Sequence, residues 1–191
     1  TGAGKTSALR ALEQLGGLVL DCDAIYHEQL RTDAALREAI ADAFGPVFLP
    51  NGSLDRQRLG GVVFGDPASL ARLNDIIFTY LPRELRRRMD ESAAPVVGID
   101  AINLVESGLC RLCRRTVAVI APAEERVRRI MARDNIPESY ARLRVQAQKP
   151  DDFYRENCTD VLVNRAASPE AFEGIAYKEL KYIIKEETDH E

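Results

Sequence analysis

The chain has 191 residues, 46% of them hydrophobic and 29% charged, with a formal net charge of −4. That length fits one domain with a small insertion and a substantial core. The acidic balance argues against a nucleic-acid binder working by bulk charge, since such domains are basic, and no apolar run is long enough to span a bilayer.

The chain opens on Thr1-Gly-Ala-Gly-Lys-Thr-Ser7. This reads as the second half of the phosphate-binding pattern G-x-x-x-x-G-K-[ST]. In that pattern glycines let backbone N–H groups turn toward phosphate oxygens, the lysine reaches the terminal phosphates and the hydroxyl after it binds Mg²⁺. A helix must follow, with its positive end toward the phosphates. Leu9, Leu12 and Leu15 predict one over residues 6–15. The alternative is a flexible N-terminal tail that happens to carry a lysine.

Leu18-Val-Leu-Asp21 predicts the first strand, ending in Asp21-Cys22-Asp23. An extended chain would point both aspartates the same way, at the carboxyl end of a strand where open α/β sheets bind ligands. A carboxylate there could take a proton from an attacking hydroxyl; the alternative for Asp23 is the N-cap of a helix starting near Ala24. Helical patterns then cover residues 34–44, 54–64 and 68–89, punctuated by Pro46, Pro50-Asn51-Gly52 and Gly65-Asp66-Pro67. They predict a helical insertion. Its arginines Arg83, Arg86, Arg87 and Arg88 read as a solvated face.

Further strands are predicted over residues 96–100, 116–120 and 161–164, short apolar runs suited to a sheet buried on both faces. Asp100 ends the second, and Glu106 follows it; these acids could serve Mg²⁺ or an acceptor, or be ordinary loop acids. Residues 124–133 predict a helix with Arg126, Arg129 and Arg133 on a face opposite its apolar one. Another helix, opened by Pro137, carries Arg142, Arg144 and Gln148. Cations are what phosphoryl transfer requires, often on a mobile lid. Arg144 fits that role and Arg128 a solvated one. Residues 172–184 predict a closing helix. Strands alternating with helices mean an α/β fold with a parallel sheet.

Cys22, Cys110, Cys113 and Cys158 are scattered, the pattern of a reduced cytosolic protein. Cys110 and Cys113 have C-x-x-C spacing, but with only His27 and His190 in the chain they read as two cysteines one turn apart on a helix.

Taken together, these motifs resemble the dephospho-CoA kinase family along nearly the whole chain. The glycine-lysine run is similar to the second half of its phosphate loop, and Asp21-Cys22-Asp23 to its D-x-D. Phe44-Gly45, Gly52-Ser-Leu-Asp-Arg56-Gln-Arg-Leu59 and Val63-Phe64 are similar to its helical domain. Val105-Glu106-Ser-Gly-Leu109, Arg129-Ile-Met-Ala-Arg-Asp134, Arg144-Val-Gln-Ala-Gln148 and the closing strand with Asn164 follow in the family's order. Three stretches depart from it: Phe78-Thr79 stands where His-Pro is usual, Ile102-Asn103-Leu104 replaces the start of the LLFE motif, and Cys158-Thr159-Asp160 precedes the last strand.

The resemblance implies a P-loop NTPase-type three-layer sandwich with parallel sheet order 2-3-1-4-5, a nucleotide-binding core at residues 1–23 and 94–191 with a lid near 134–158, and an acceptor-binding insertion at 24–93. That order needs a central strand and a leading glycine, which are expected upstream of Thr1. The implied reaction moves the ATP γ-phosphate to the ribose 3′-hydroxyl of dephospho-CoA, the last step of coenzyme A synthesis, in the cytoplasm. Asp23 would be the base, with Lys5 and the lid cation Arg144 also catalytic. Gly2, Ala3, Gly4, Lys5, Thr6 and Ser7 would hold ATP, Thr6 also holding Mg²⁺. Asp21, Asp55, Arg56, Asp100 and Glu106 would meet the acceptor. Expected partners are the two small-molecule substrates, with no nucleic acid or membrane, in a monomer or small homo-oligomer. The alternatives are another small-molecule or nucleoside monophosphate kinase, or a nucleotide-binding protein that transfers no phosphate.

Overall fold

The computed structural model describes residues 1–189, so His190 lies outside the described residues. In chain order the elements are α1 (Lys5–Gln14), β1 (Leu18–Asp21), α2 (Cys22–Thr32), α3 (Ala34–Phe44), α4 (Arg56–Val63), α5 (Pro67–Asp90), β2 (Val97–Asp100), β3 (Val117–Ile120), α6 (Ala123–Asp134), α7 (Glu138–Gln146), α8 (Asp151–Asn157), β4 (Asp160–Val163) and α9 (Pro169–Asp189). The four strands fall where the apolar runs predict them, to within one residue at each end.

The strands form two separate two-stranded sheets, β1 with β2 and β3 with β4. β3 and β4 are parallel, in register from Val117 opposite Asp160 to Ile120 opposite Val163. The Leu18 amide donates to Val96 O at 3.0 Å, so β1 and β2 start together and end together at Asp21 and Asp100. If β1 to β4 are strands two to five of the expected order, these are its two outer pairs. Side chains pin the β3–β4 register at its start. The Thr116 amide donates to Thr159 Oγ1 at 2.8 Å and the Thr159 amide to Thr116 Oγ1 at 2.9 Å. Arg115 grips both Asp160 oxygens, at 2.9 and 2.7 Å, which holds that carboxyl below its ordinary range.

The chain divides into two compact units, one comprising Thr1–Val19, Ala94–Gly98 and Gly108 onward, the other Leu20–Ala93 and Ile99–Ser107. In the first, Ala8, Ala11 and Leu12 of α1 bury against Phe172, Ala176, Leu180 and Ile183 of α9 and Leu162 of β4. In the second, α2 to α5 close over Leu30, Leu36, Ile40, Val47, Leu59, Val63 and Leu73. The helices of this unit start on aspartates: Asp21, Asp33, Asp55 and Asp66 each accept first-turn amides, contacts worth about 1 kcal/mol apiece. α5 runs unbroken through Pro82. An interior proline costs about 3 kcal/mol, and burial of Leu81 and Leu85 on either side of it offsets a cost of that size at about 1.5–3 kcal/mol per side chain.

Four local expectations are corrected. Asp21, not Asp23, caps α2, because the chain turns helical at Cys22; the strand alternation that would align the two carboxylates stops there. α4 begins at Arg56 rather than Leu54, since Leu54 forms an antiparallel bridge with Phe48. α8 went unpredicted: it has seven residues, none buried, so it shows no apolar period. Cys110 and Cys113 lie on and just after a 3₁₀ turn, Leu109–Leu112, not within an α-helix. The insertion's basic face is partly a tether as well, for Arg88 joins Glu84 of α5 at 2.7 Å to Glu28 of α2 at 2.9 Å, while Arg87 pairs only along its own helix with Glu84 and Glu91.

Candidate active site

The glycine-lysine run is ordered by the first unit. Gly2 and Gly4 have φ of 76° and 110°, a region that side-chain-bearing residues rarely enter. A Cβ on Gly2 would lie 2.8 Å from Arg126 O, and one on Gly4 would meet the Asn164 amide and, at 3.0 Å, the Phe172 ring. Any other residue at Gly4 would therefore strain the backbone and displace a fully buried aromatic. α1 starts directly after Gly4 and has neither a side-chain cap nor an acid in its first turn. Every other described α-helix has one or the other. The positive end of this helix is thus left without a side-chain anion of its own, as an anion site requires. Lys5 and Thr6 are exposed there, whereas Ser7 is buried.

The arginine face of α6 turns toward this loop rather than toward solvent. Arg126 is only 8% exposed and binds Thr1 O and the Gln148 side chain. Arg129 reaches Gly2 O, Asn164 Oδ1 and Ala166 O. Its burial, with Arg128 adding, pushes it below its ordinary value, yet a guanidinium stays charged at neutral pH. Arg133 contacts Thr1 Oγ1 and Asp134. Arg128 is 70% exposed and pairs only with Glu125, the solvated role expected of it. Arg126, Arg129 and Arg133 thus converge on the start of the loop, at Thr1 O, Gly2 O and Thr1 Oγ1.

Arg144, the expected lid cation, is paired with Asp134 at the end of α6. The pair is partly exposed and screened by solvent, so exchanging Asp134 for a phosphate oxygen costs little. Arg133 first, and then Arg144, hold the Asp134 carboxyl down at about 2. The folded value is depressed, so the stabilisation is complete above the unfolded value near 4 and disappears as pH falls toward 2. Thermal melts of the parent and Asp134→Asn should therefore differ at pH 5 and converge as the pH approaches 2. A difference constant across that range would show that the pair contributes nothing.

The expected acceptor residues belong to the second unit. Asp21 and Asp100 end β1 and β2, and Asp23 stands exposed in the first turn of α2. Asp21 Oδ1 is engaged by the Asp23 and Ala24 amides at 2.9 and 3.1 Å. Asp55 likewise accepts the Arg58 amide at 2.9 Å. Arg56 lies close to α2: burial raises the Tyr26 phenol, and the charge of Arg56 opposes that rise. Glu106 is exposed in the turn after β2. Sequence reasoning named Arg126 and Arg129 only as part of a cationic face and Asn164 only as the end of a strand, and did not foresee their contacts with the loop backbone; the available signal was a polar residue closing an apolar strand.

The dephospho-CoA kinase family model matches residues 1–170. The chain belongs to the dephospho-CoA kinase family. As a family member it is 33% identical over 171 residues to the dephospho-CoA kinase of Thermobifida fusca, covering 88% of this chain and 85% of that one. It is 31% identical over 175 residues to that of Geobacter sulfurreducens, covering 90% and 88%. A crystal structure of a Thermus thermophilus protein superposes with a TM-score of 0.75 at 31% identity, over 97% of this chain and 92% of that one. The α/β fold with parallel strands and the kinase family both agree with the sequence reading.

Proposed function

We propose that this dephospho-CoA kinase family member transfers the γ-phosphoryl group of ATP to the ribose 3′-hydroxyl of dephospho-CoA. One observation carries the phosphate site: α1 alone among the described α-helices starts with neither cap nor first-turn acid, directly behind a glycine-rich turn that three arginines of α6 contact. Gly2, Ala3, Gly4, Lys5, Thr6 and Ser7 form the ATP site, with residues 1–23 and 94–191 as core and 24–93 as acceptor-binding insertion. Asp23 takes the proton of the 3′-hydroxyl as its oxygen bonds to the γ-phosphorus. The bond to the β–γ bridging oxygen breaks and ADP leaves. Lys5 and Arg144 meet the charge that develops on the transferring group. Asp21, Asp55, Arg56, Asp100 and Glu106 orient the acceptor.

The donor set suits Mg²⁺. Thr6 offers an exposed hydroxyl beside the loop. Mg²⁺ is usually held by one or two protein oxygens plus substrate phosphates. When bound, it would neutralise phosphate charge. A cytoplasmic location is part of this reading, supported by the scattered spacing of Cys22, Cys110, Cys113 and Cys158, the usage of a reduced compartment.

The test is coupled ADP release with Mg-ATP and dephospho-CoA. ADP formation that depends on dephospho-CoA supports the reading. Turnover only with another acceptor would make this a different small-molecule kinase, and ATP binding without turnover on any acceptor would make it a non-catalytic binder.

A further inference from the structure

Four consecutive carbonyls of the glycine-lysine loop are engaged, the first three by side chains from α6 and the end of β4 and the fourth by the first turn of α1. Arg126 Nε donates to Thr1 O at 3.0 Å, Arg129 Nη1 to Gly2 O at 3.4 Å and Asn164 Nδ2 to Ala3 O at 2.7 Å. The Ser7 and Ala8 amides donate to Gly4 O at 3.0 and 3.2 Å. In a trans peptide the N–H points opposite to the C=O it shares a plane with. Fixing the carbonyls of Thr1, Gly2 and Ala3 therefore turns the N–H groups of Gly2, Ala3 and Gly4 to the other side. Among the described residues no protein group accepts from those three amides. They form a row of donors facing one way.

Asn164 is the centre of this arrangement. It is 3% exposed, and its own amide extends the sheet by donating to Ile120 O at 2.7 Å. Its Oδ1 accepts from the Ala166 amide at 3.1 Å and from Arg129 Nη2 at 3.3 Å. Both ends of the carboxamide are engaged, so Nδ2 is fixed toward Ala3. Arg129 divides its fork among Gly2 O, Asn164 Oδ1 and Ala166 O at 3.1 Å. A guanidinium committed in this way lies on the carbonyl side of the loop, away from any anion on the amide side.

We infer that Asn164 and Arg129 are positioning residues that clamp the outer carbonyls of the loop and thereby aim its amides at the phosphates of the nucleotide. The inference rests on reading residues 2–7 as the nucleotide phosphate site. It gives Arg129 a role different from that of a cation on the substrate. Such a role demands the fork and not merely the charge, and it acts on the nucleotide but not on the acceptor.

The test measures Mg-ATP affinity by calorimetry on the parent chain, Asn164→Asp, Asn164→Ser and Arg129→Lys, with thermal melts and both KM values alongside. Asn164→Asp sets an oxygen against Ala3 O, and Arg129→Lys keeps the charge but loses the fork. Each should weaken ATP binding at least about tenfold, the scale of a lost hydrogen bond to a buried group. KM for dephospho-CoA should stay within about twofold. Asn164→Ser, which removes the donor without adding charge, decides the matter if Asn164→Asp fails to fold. Unchanged ATP affinity in the folded variants overturns the clamp. So does a parallel rise of both KM values with a lowered Tm, which would mark a general structural role. A parent that binds ATP but does not phosphorylate dephospho-CoA would reject the acceptor reading alone, the clamp then being judged on affinities. A parent that binds no ATP rejects both.

Discussion

Asp23→Asn is expected to lower kcat about 10²–10⁴-fold, the contribution of a positioned general base, while the fold survives. The two consequences of the substitution differ in size. The rate loss corresponds to about 2.7–5.5 kcal/mol of barrier. Asp23 is also an exposed acid in the first turn of α2, where a negative charge favours the helix by only about 0.3–1 kcal/mol. Asp21, which accepts the Asp23 and Ala24 amides, retains the cap. Single-turnover kinetics beside a thermal melt separates the two. A variant with near-parental kcat would reject Asp23 as the base.

The second large effect is expected at Lys5. Lys5→Ala should lower kcat/KM for ATP about 10²–10³-fold, as removing one preorganised donor to developing charge does elsewhere. The helix is not at risk. Lys5 is the exposed first residue of α1, and alanine is the best helix former. Loss of activity with unchanged Tm therefore reports on the phosphate site itself. Parental kinetics in this variant would mean that the glycine-lysine run is only a structural turn.

Much of this was legible from the chain. The apolar runs located the four described strands to within a residue, although each of them is only partly buried. Five of the helices from Lys5 to Asp134, α1 and α3 to α6, followed from their 3.6-residue period and from Gly and Pro punctuation, except where a cap or bridge moved an end, whereas α2 was anticipated only as a helix start near Ala24. Aspartate caps were the weak point. Asp21 and Asp23 are both plausible N-caps in sequence, and only the turn of the backbone at Cys22 assigned the role to Asp21. α8 showed no period because a seven-residue helix with nothing buried has no core face to declare itself.

The site divides in the same way. Gly2, Gly4, Lys5 and Thr6 announce phosphate chemistry by type and spacing, since the reason for each residue is local: a φ that only glycine adopts easily, a charge, a hydroxyl, a helix start. The sequence by itself thus determined the α/β class and the order of the strands, and it motivates the ligand proposed for the first turn. Tertiary structure alone decided which partners orient that turn. Asn164 binds Ala3 O across 161 positions of chain, and Arg126 and Arg129 bind Thr1 O and Gly2 O across 125 and 127. Periodicity and motif spacing report on neighbours within a few residues, so an arginine face reads the same whether it meets water or a backbone. Folding brings those distant carbonyls and donors within 3.4 Å of one another, and a buried carbonyl must find a donor; that requirement turned a charged stripe on α6 and a polar strand end into the support of the glycine-lysine loop.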